Sequence, residues 1–203
     1  MANIKLTKTA LKGQRDDLKR FSRFLPTLQL KKQQLQVEVQ TVRDEIKALH
    51  IKLDALIKDA QKWIELFSTE GFDVEAVSEQ IVIDKMAVET RNIAGVDVPY
   101  FAELSFKPVE FDLFSTPSWY DGALDYVRQL LEMSKREEVM RERLSLLERE
   151  LQVTNQRVNL FEKVKIPECK NNIRRIRIYL GDQETAAVGR SKIAKRKMQV
   201  VAS

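Results

Sequence analysis

The feature that most constrains this chain is a heptad pattern of apolar residues that begins at Leu11 and runs to Phe67. Apolar side chains occupy 15 of the 17 a and d positions in this series, and Gln14 and Lys32 are the exceptions. A pattern this long and regular is typical of a coiled coil rather than of a surface helix in a globular domain. Such a helix would be about 85 Å long, which exceeds the width of a compact domain of this size.

A second apolar series with the same spacing runs from Leu130 to Leu180, on an arm that we take to begin at Leu124. It keeps alternating steps of three and four residues, with Glu137 and Thr154 as misfits. One step of five residues, from Phe161 to Ile166, shifts its register. The two arms have equal lengths and a linker between them, so we predict an antiparallel helical hairpin in which residue i faces roughly residue 191 − i.

These patterns predict a fold dominated by α-helix: a long antiparallel two-helix coiled coil with a small central cap. The chain has only 6 Gly and 5 Pro, which also favours helix. In the linker, β-prone runs on either side of Gly95 predict a β-hairpin in the cap, at the acidic end of the helical hairpin. We therefore expect four segments: an N-terminal arm at 1–67, the cap at 68–122, a C-terminal arm at 123–181, and a basic, partly disordered tail at 182–203.

Two residues inside the first arm break its pattern in ways that affect geometry. Pro26 cannot donate a backbone N–H and predicts a kink. Its expected partner is position 165, close to the five-residue step and to Pro167, so the distortions of the two arms should coincide. Lys32 occupies one of the a and d positions, which together form the seam between the two helices, and it lies near Thr154. A buried polar residue there is a candidate for fixing the register.

The net charge of +5 conceals three regions of different sign. Residues 1–33 carry +7, residues 34–169 carry −9, and residues 170–203 carry +7. An antiparallel hairpin would bring both basic ends to one tip, which suits a partner that presents acidic groups or backbone carbonyls. We predict that eight basic side chains contact this partner: Lys8, Lys12, Arg15, Lys19, Arg20, Arg174, Arg175 and Arg177.

The sequence offers no candidate catalytic, cofactor or metal site. The nearest match to a phosphate-binding loop, at Gly189, lacks both the first glycine and the lysine that such a loop needs. One Cys and one His exclude a disulfide framework and most metal sites built from these residues. In the hairpin, Cys169 and His50 would lie roughly 42 Å apart, so they form no nucleophile pair. We expect a buried, unreactive Cys169 and a solvated His50.

Other polar and aromatic groups have structural interpretations. The charged runs at 135–138 and 141–143 are typical of a solvated helix face. Trp119 and Tyr120, near Phe111 and Phe114, are expected to pack in the core of the cap; an exposed anchor for a partner is the alternative.

Three motifs occur in order along the chain. The first combines Thr7-Lys8…Leu11 with Leu28-x-Leu30-Lys31-Lys32-x-x-Leu35, and the second is Asn92-Ile93-Ala94-Gly95-Val96-x-Val98-Pro99. The third is Thr154-Asn-Gln-Arg-Val-Asn-Leu-Phe-Glu162, followed by Ile166-Pro167 and Lys170-Asn-Asn-Ile173. Together they resemble the D subunit of V-type and archaeal A-type ATPases. The signature residues are Thr154, Asn155, Arg157, Val158, Asn159, Glu162 and Pro167.

The resemblance implies a noncatalytic rotor shaft in the central stalk of the ATPase. Its termini would enter the hexamer of catalytic A and noncatalytic B subunits, and its other end would contact the F subunit and the stalk subunit that caps the membrane ring. The shaft would couple ATP hydrolysis or synthesis to proton or sodium transport without binding nucleotide or ion. It would be cytoplasmic and peripheral to the membrane. The sequence contains no run of 18 apolar residues, which direct insertion into the membrane would need.

Two alternative functions stay open on the sequence alone. The basic ends could bind nucleic acid, although the arms carry no recognition motif and the middle is acidic. The heptads could also belong to a tether or scaffold coiled coil, which would usually dimerise through parallel chains.

Overall fold

The computed structural model describes residues 5–67, 80–109 and 120–201. Its contacts divide the chain into a central unit, residues 33–152, and a terminal unit, residues 1–32 with 153–203. Helix α1 crosses from one unit into the other. The elements in chain order are α1 (Lys8–Phe67), β1 (Ile83–Ile93), β2 (Val96–Phe106), α2 (Tyr120–Asn159), a π-helical segment (Leu160–Lys165) and α3 (Ile166–Val201).

Helix α1 begins where Thr7 caps it. The Thr7 hydroxyl accepts a hydrogen bond from the Ala10 N–H at 3.2 Å, and its carbonyl accepts the Leu11 N–H at 2.9 Å. From Leu11 to Leu56, every seam position is buried or half-buried, which confirms the predicted register. Positions 60, 63 and 67 lie outside the residues whose side chains are described. Pro26 lies inside the helix, and the predicted kink there stays a prediction.

The second arm confirms its predicted seam as well. All seam positions from Leu130 to Leu180 are buried or half-buried, including the polar misfits. The five-residue step predicted between Phe161 and Ile166 corresponds to the π-helical segment. There the Ile166 N–H donates to the carbonyl of Phe161, five residues earlier. Helix α3 continues to Val201, with every side chain from 181 to 199 exposed; partial disorder of this tail stays a prediction.

In each unit the two helices run antiparallel. In the central unit Arg43 pairs with Glu148 at 2.6 Å. This is the partner predicted by the facing rule, in which residue i faces residue 191 − i. In the terminal unit Lys8 lies 3.8 Å from Glu184, one residue from its predicted partner. The pattern of contacts therefore supports the hairpin topology over a parallel arrangement.

The facing rule fails near Pro26. The ring centroids of Phe21 and Phe161 lie 5.1 Å apart, whereas the rule pairs Phe21 with position 170. Because the helices are antiparallel, residues opposite Pro26 precede Phe161 rather than follow it. Position 165 is thus not the partner of Pro26, and the π segment faces the turn before the proline. A single offset cannot describe helices whose period changes within the pair.

The β-hairpin predicted around Gly95 is present. Strands β1 and β2 pair antiparallel, with Ile93 opposite Val96. The two turn residues, Ala94 and Gly95, have φ angles of 50° and 79°, as a type I′ turn requires. The Asn92 side chain supports the turn, because it accepts the Gly95 N–H at 3.0 Å and donates to Asp97 at 2.6 Å.

The hairpin does not sit at the end of the helices, as predicted for a cap, but lies lengthwise on them within the central unit. Its base packs with Leu124 in a buried cluster that includes Ile81 and Tyr120. Its tip packs with Leu147, where Val98 joins a cluster from α1 and α2. The 23 residues between these positions on α2 span about 35 Å, which matches an 11-residue strand.

Tyr120 is 4% exposed, so core packing is confirmed for this residue. The predictions for Trp119, Phe111 and Phe114 fall outside the described residues.

Candidate functional site

The eight basic residues predicted to contact a partner all belong to the terminal unit, and the structure exposes all eight. Five of them line one open groove of about 570 Å³: Lys8, Lys12, Arg15, Lys19 and Arg177. The groove also contains the apolar Leu11, Leu180 and Gly181, together with the carboxylates of Asp16 and Glu184. The sequence therefore located most of a shared basic surface.

Helix periodicity explains why these side chains converge. On α1 the basic positions 8, 12, 15 and 19 follow steps of four, three and four, which keeps them on one face. On α3, Leu180, Gly181 and Glu184 follow Arg177 by three, four and seven residues, which also places them on one helix face. The two faces border the seam on one side of the helix pair, so the charges lie beside packed apolar residues rather than at random on the surface.

The charge of the groove is positive but partly compensated. Five cations face two carboxylates, and the contact between Lys8 and Glu184 at 3.8 Å is highly exposed on both sides. Such exposed pairs contribute little to stability, so the cations stay available to an anionic partner. Arg20 lies outside this groove and pairs with Asp17 at 2.6 Å. Arg174 and Arg175 are exposed on α3 but do not line the groove either.

A polar contact across the seam lies beside this surface. Asn172, which is 7% exposed, donates its side-chain N–H to the amide oxygen of Gln14 at 3.2 Å. Gln14 was an exception in the heptad series, but its partner could not be chosen from the sequence, because Asn172 lies just off the second seam. Polar groups buried between two helices favour the register in which they meet.

Comparison with known proteins places the whole chain in one family. Residues 10–196 match the family model for the D subunit of ATP synthase. The chain belongs to the family of ATP synthase D subunits. The V-type ATP synthase D subunit of Borreliella burgdorferi is 43% identical over 198 residues, which cover 98% of this chain and 96% of that protein. The corresponding protein of Chlamydia caviae is 35% identical and that of Chlamydia felis 36%, each over 98% of this chain and 95% of the relative.

The signature residues of this D-subunit family member lie in the first turns of the stretch 153–203 of the terminal unit, and they divide into core and surface positions. Thr154 and Val158 are buried, at 1% and 4% exposure, and Asn155 and Asn159 are half-buried. The exposed members are Arg157, Glu162 and Pro167. The signature thus combines core positions with surface positions around the π segment.

Lys32, the candidate register residue, is half-buried at its seam position. The structure gives it no described contact that decides its role, and a function in fixing the register stays a prediction.

The central unit of this D-subunit chain contains a buried arginine, Arg143, whose surroundings were predicted wrongly from the sequence. Arg143 was placed on a solvated helix face, but it is 5% exposed. Its guanidinium lies 3.6 Å from Glu38, 3.5 Å from Glu45 and 4.1 Å from the ring centroid of Tyr100. One side chain therefore joins α1, α2 and β2. The hairpin covers this part of α2, and helix periodicity alone cannot show that a second layer lies there.

The arginine contacts continue along the hairpin. Arg91 lies 4.4 Å from the centroid of the same Tyr100 ring, and Arg136 lies 5.4 Å from that of Phe101. Each contact pairs a cation with the negative face of an aromatic ring. Arg136 and Arg143 of α2, together with the apolar clusters at the base and tip, hold the sheet against the helices, whereas the Arg91 contact lies within the sheet.

His50 is also less solvated than predicted. Its Nε2 lies 2.9 Å from a carboxylate oxygen of Glu137, whose side chain is mostly buried and also pairs with Arg141. Glu137 was a misfit in the second seam and part of a charged run assigned to solvent. The structure shows that it faces His50 of α1, while Arg141, one turn further along its own helix, lies beside the same carboxylate oxygen.

Cys169 is buried on the seam of the terminal unit, as predicted. Burial raises the pKa of its thiol, and the carboxylates of Asp17 and Glu168 raise it further, while Lys165 opposes them. A thiol with a raised pKa is a poor nucleophile. Within the described residues, no group of His, Cys, Asp and Glu side chains could hold a metal ion, and no helix is long and apolar enough to span a membrane.

Proposed function

We propose that this chain is the noncatalytic rotor shaft in the central stalk of a V-type or A-type ATP synthase. Its terminal unit would enter the hexamer of A and B subunits, and its central region would contact the F subunit and the stalk subunit that caps the membrane ring. It would transmit torque between ATP chemistry in the hexamer and proton or sodium transport in the membrane. The protein would then be cytoplasmic and peripheral to the membrane.

The basic groove of the terminal unit is the observation that carries this proposal. A shaft held inside a sleeve of other subunits needs many exposed contacts on a helix pair that stays packed. The groove provides five cations beside an apolar seam, and Arg20, Arg174 and Arg175 add further exposed charge. Long-range attraction of this kind guides assembly and depends on ionic strength.

The seam supports a mechanical role. A single helix transmits twist through its own backbone, whereas two helices that share a buried seam must turn together. Each buried aliphatic side chain contributes roughly 1.5–3 kcal/mol. The seam positions described on both arms are buried or half-buried almost without interruption, so the pair can carry load along the described helices.

The predicted segments take their roles within this proposal. The arms at 1–67 and 123–181 would form the shaft, the segment at 68–122 would serve the contacts outside the hexamer, and the tail at 182–203 would enter the hexamer with the N-terminus. No catalytic step is assigned to any of them.

Charge reversal tests the proposal. A variant with Lys12, Arg15, Lys19 and Arg177 changed to Glu should bind co-expressed A and B subunits about tenfold or more weakly. Affinity purification at two salt concentrations measures the binding. The matched control changes four exposed basic residues of the central unit to Glu: Lys52, Lys58, Lys85 and Arg149.

The control variant should still bind the hexamer, and raising the salt should weaken the wild-type complex more than that of the groove variant. Circular dichroism confirms that both variants keep their helices. Equal binding by the two variants would contradict the assignment of the groove.

The alternative functions make different predictions. A nucleic-acid-binding protein would shift DNA or RNA in a gel at moderate salt, whereas the shaft should show only weak binding that salt removes. A parallel tether would have the mass of a dimer in solution, while the antiparallel pair described within each unit needs one chain only.

A further inference from the structure

The π-helical segment, Leu160–Lys165, is the one irregular turn in the described helices of the terminal unit. A rare geometry in the middle of a packed helix needs a physical cause. Two causes are present here, one in the seam and one in the backbone.

The first cause is the seam itself. Each residue of an α-helix turns the chain by about 100°, so five steps would place Ile166 about 140° away from the direction of Phe161. Both side chains are nevertheless half-buried on the seam, and Phe161 contacts Phe21. The wider turn of a π-helix absorbs the additional residue and returns Ile166 to the seam. Packing of α3 against α1 therefore depends on this irregular turn.

The second cause is Pro167. Its ring would collide with the carbonyl of Lys163 in a regular α-helix, and it has no N–H to donate. The π segment ends two residues before this proline. At its end, the Ile166 N–H donates a hydrogen bond to the Phe161 carbonyl. Pro26 interrupts the hydrogen bonds of α1 about one turn from Phe21, so both helices are weakened in the same part of the terminal unit.

The π segment is also poorly packed. None of its six residues is buried, and Leu160 and Val164 are 44% and 49% exposed. On either side, Val158 and Cys169 are at most 5% exposed. Segments with few buried contacts and exposed backbone hydrogen bonds open at a lower free energy than their surroundings.

We infer that the π segment is a compliant joint in the terminal unit, which opens and twists while the seam on both sides stays packed. The opening itself is a property of the isolated chain. That the joint takes up twist under torque rests on the proposed function as a rotor shaft.

Hydrogen exchange on the full-length chain tests the joint. Amides of residues 161–166 and of Glu168 should exchange about tenfold or more faster than those of 150–158 and 170–180. Deleting the exposed Lys163 together with Pro167→Ala shortens the step from Phe161 to the next seam residue to four and removes the proline ring, so a regular α-helix is accommodated. In this variant the exchange should slow to that of the flanking turns, and thermal stability should not fall.

A matched deletion of Lys170, also exposed but in regular α-helix, should break the seam and lower the melting temperature. Because a deletion can fail to fold, Pro167→Ala serves as a second variant that keeps the chain length and restores one backbone donor. It should slow exchange of the segment several-fold. Exchange in the wild type as slow as in the flanking turns, or no slowing in either variant, would overturn the inference.

The assembled ATPase separates the joint from the proposed function. A rotary probe on the complex that contains the Lys163 deletion combined with Pro167→Ala should show narrower angular fluctuations than the wild type. Fluctuations that stay unchanged, although exchange has slowed, would overturn the role of the joint in taking up twist. Failure of the wild-type chain to assemble with A and B subunits would count against the rotor function and would leave the exchange result intact.

Discussion

The two units of this chain contain the same heptad pattern but bury it to different depths. Among the described residues, the central unit holds most of the side chains that are fully buried: Leu35, Val42, Val98, Leu124 and Leu147. Among the residues of the terminal unit that the structure describes, only Ile176 and Thr154 reach this depth. The difference arises because the β-hairpin covers the central helix pair, whereas two helices alone bury only one stripe.

This comparison shows what a third layer changes. Under the hairpin, Arg143 can be buried because Glu38, Glu45 and Tyr100 approach it from two further elements. In the terminal unit, a polar residue on the seam pairs with one just beside it, as Gln14 does with Asn172. The central unit thus buries its side chains more completely, and the terminal unit leaves more of its side chains exposed to solvent.

The largest expected effect is at Leu147. Changing Leu147 to Ala should lower the free energy of unfolding by about 3 kcal/mol, since a fully buried leucine leaves a cavity. Leu180→Ala, at a half-buried seam position of the terminal unit, should cost only about 1 kcal/mol. Urea denaturation followed by circular dichroism measures both.

Leu30→Ala serves as the control, because Leu30 is 55% exposed and its loss should change stability by less than about 0.5 kcal/mol. If Leu180→Ala cost as much as Leu147→Ala, the difference in burial between the two units would have no energetic meaning.

The second effect concerns attachment of the hairpin. Arg143→Ala should cost about 2 kcal/mol, because it removes a stacked guanidinium and leaves Glu38 and Glu45 without their shared cation. The loss stays below that of a fully buried ion pair because both carboxylates are partly exposed. Faster hydrogen exchange in 96–101, with little change in 169–180, would locate the effect in the central unit.

Arg149→Ala is the matched control, since Arg149 lies on the same helix but is exposed. It should leave exchange in the hairpin unchanged. Equal exchange in the two variants would mean that apolar contacts alone hold the sheet.

Much of this architecture could be predicted from the sequence because it follows local periodicity. The two seams, the turn at Gly95 and the five-residue step that became the π segment all depend on residues close together in the chain. These features need only helix and turn geometry, which sequence spacing encodes.

What could not be predicted depends on contacts between distant residues. The charged run that contains Arg143 resembles a solvated face until the hairpin is placed over it. His50 and Glu137 are 87 residues apart in the chain, and their pairing depends on an offset between helices that changes along their length. The five cations of the basic groove were named from the sequence, but the two carboxylates beside them, Asp16 and Glu184, give no signal of their own.

A smaller effect is expected at the polar contact of the terminal unit. Asn172→Leu alone should cost about 1 kcal/mol, because it leaves the half-buried Gln14 amide without its donor. Adding Gln14→Leu should recover that loss, since two apolar residues then meet on the seam. A double-mutant cycle by urea denaturation measures the coupling. A coupling of zero would show that the contact does not favour one register over another.

The smallest effect is a dependence on pH at Cys169. Burial, with the charges of Asp17 and Glu168, raises the pKa of the thiol in the folded chain, so the unfolded chain loses this proton first as the pH increases. Stability from the buried thiol is therefore complete below the ordinary pKa of cysteine and declines as the pH rises through the folded value. We expect the wild type to lose more stability between roughly pH 8 and pH 10 than Cys169→Ala, in which this proton is absent. The other groups that titrate in this range are common to both proteins and cancel in the difference. Parallel curves for the two proteins would show that the thiol does not keep its proton in the folded seam, and the terminal unit would then be more open to water at this position than its burial indicates.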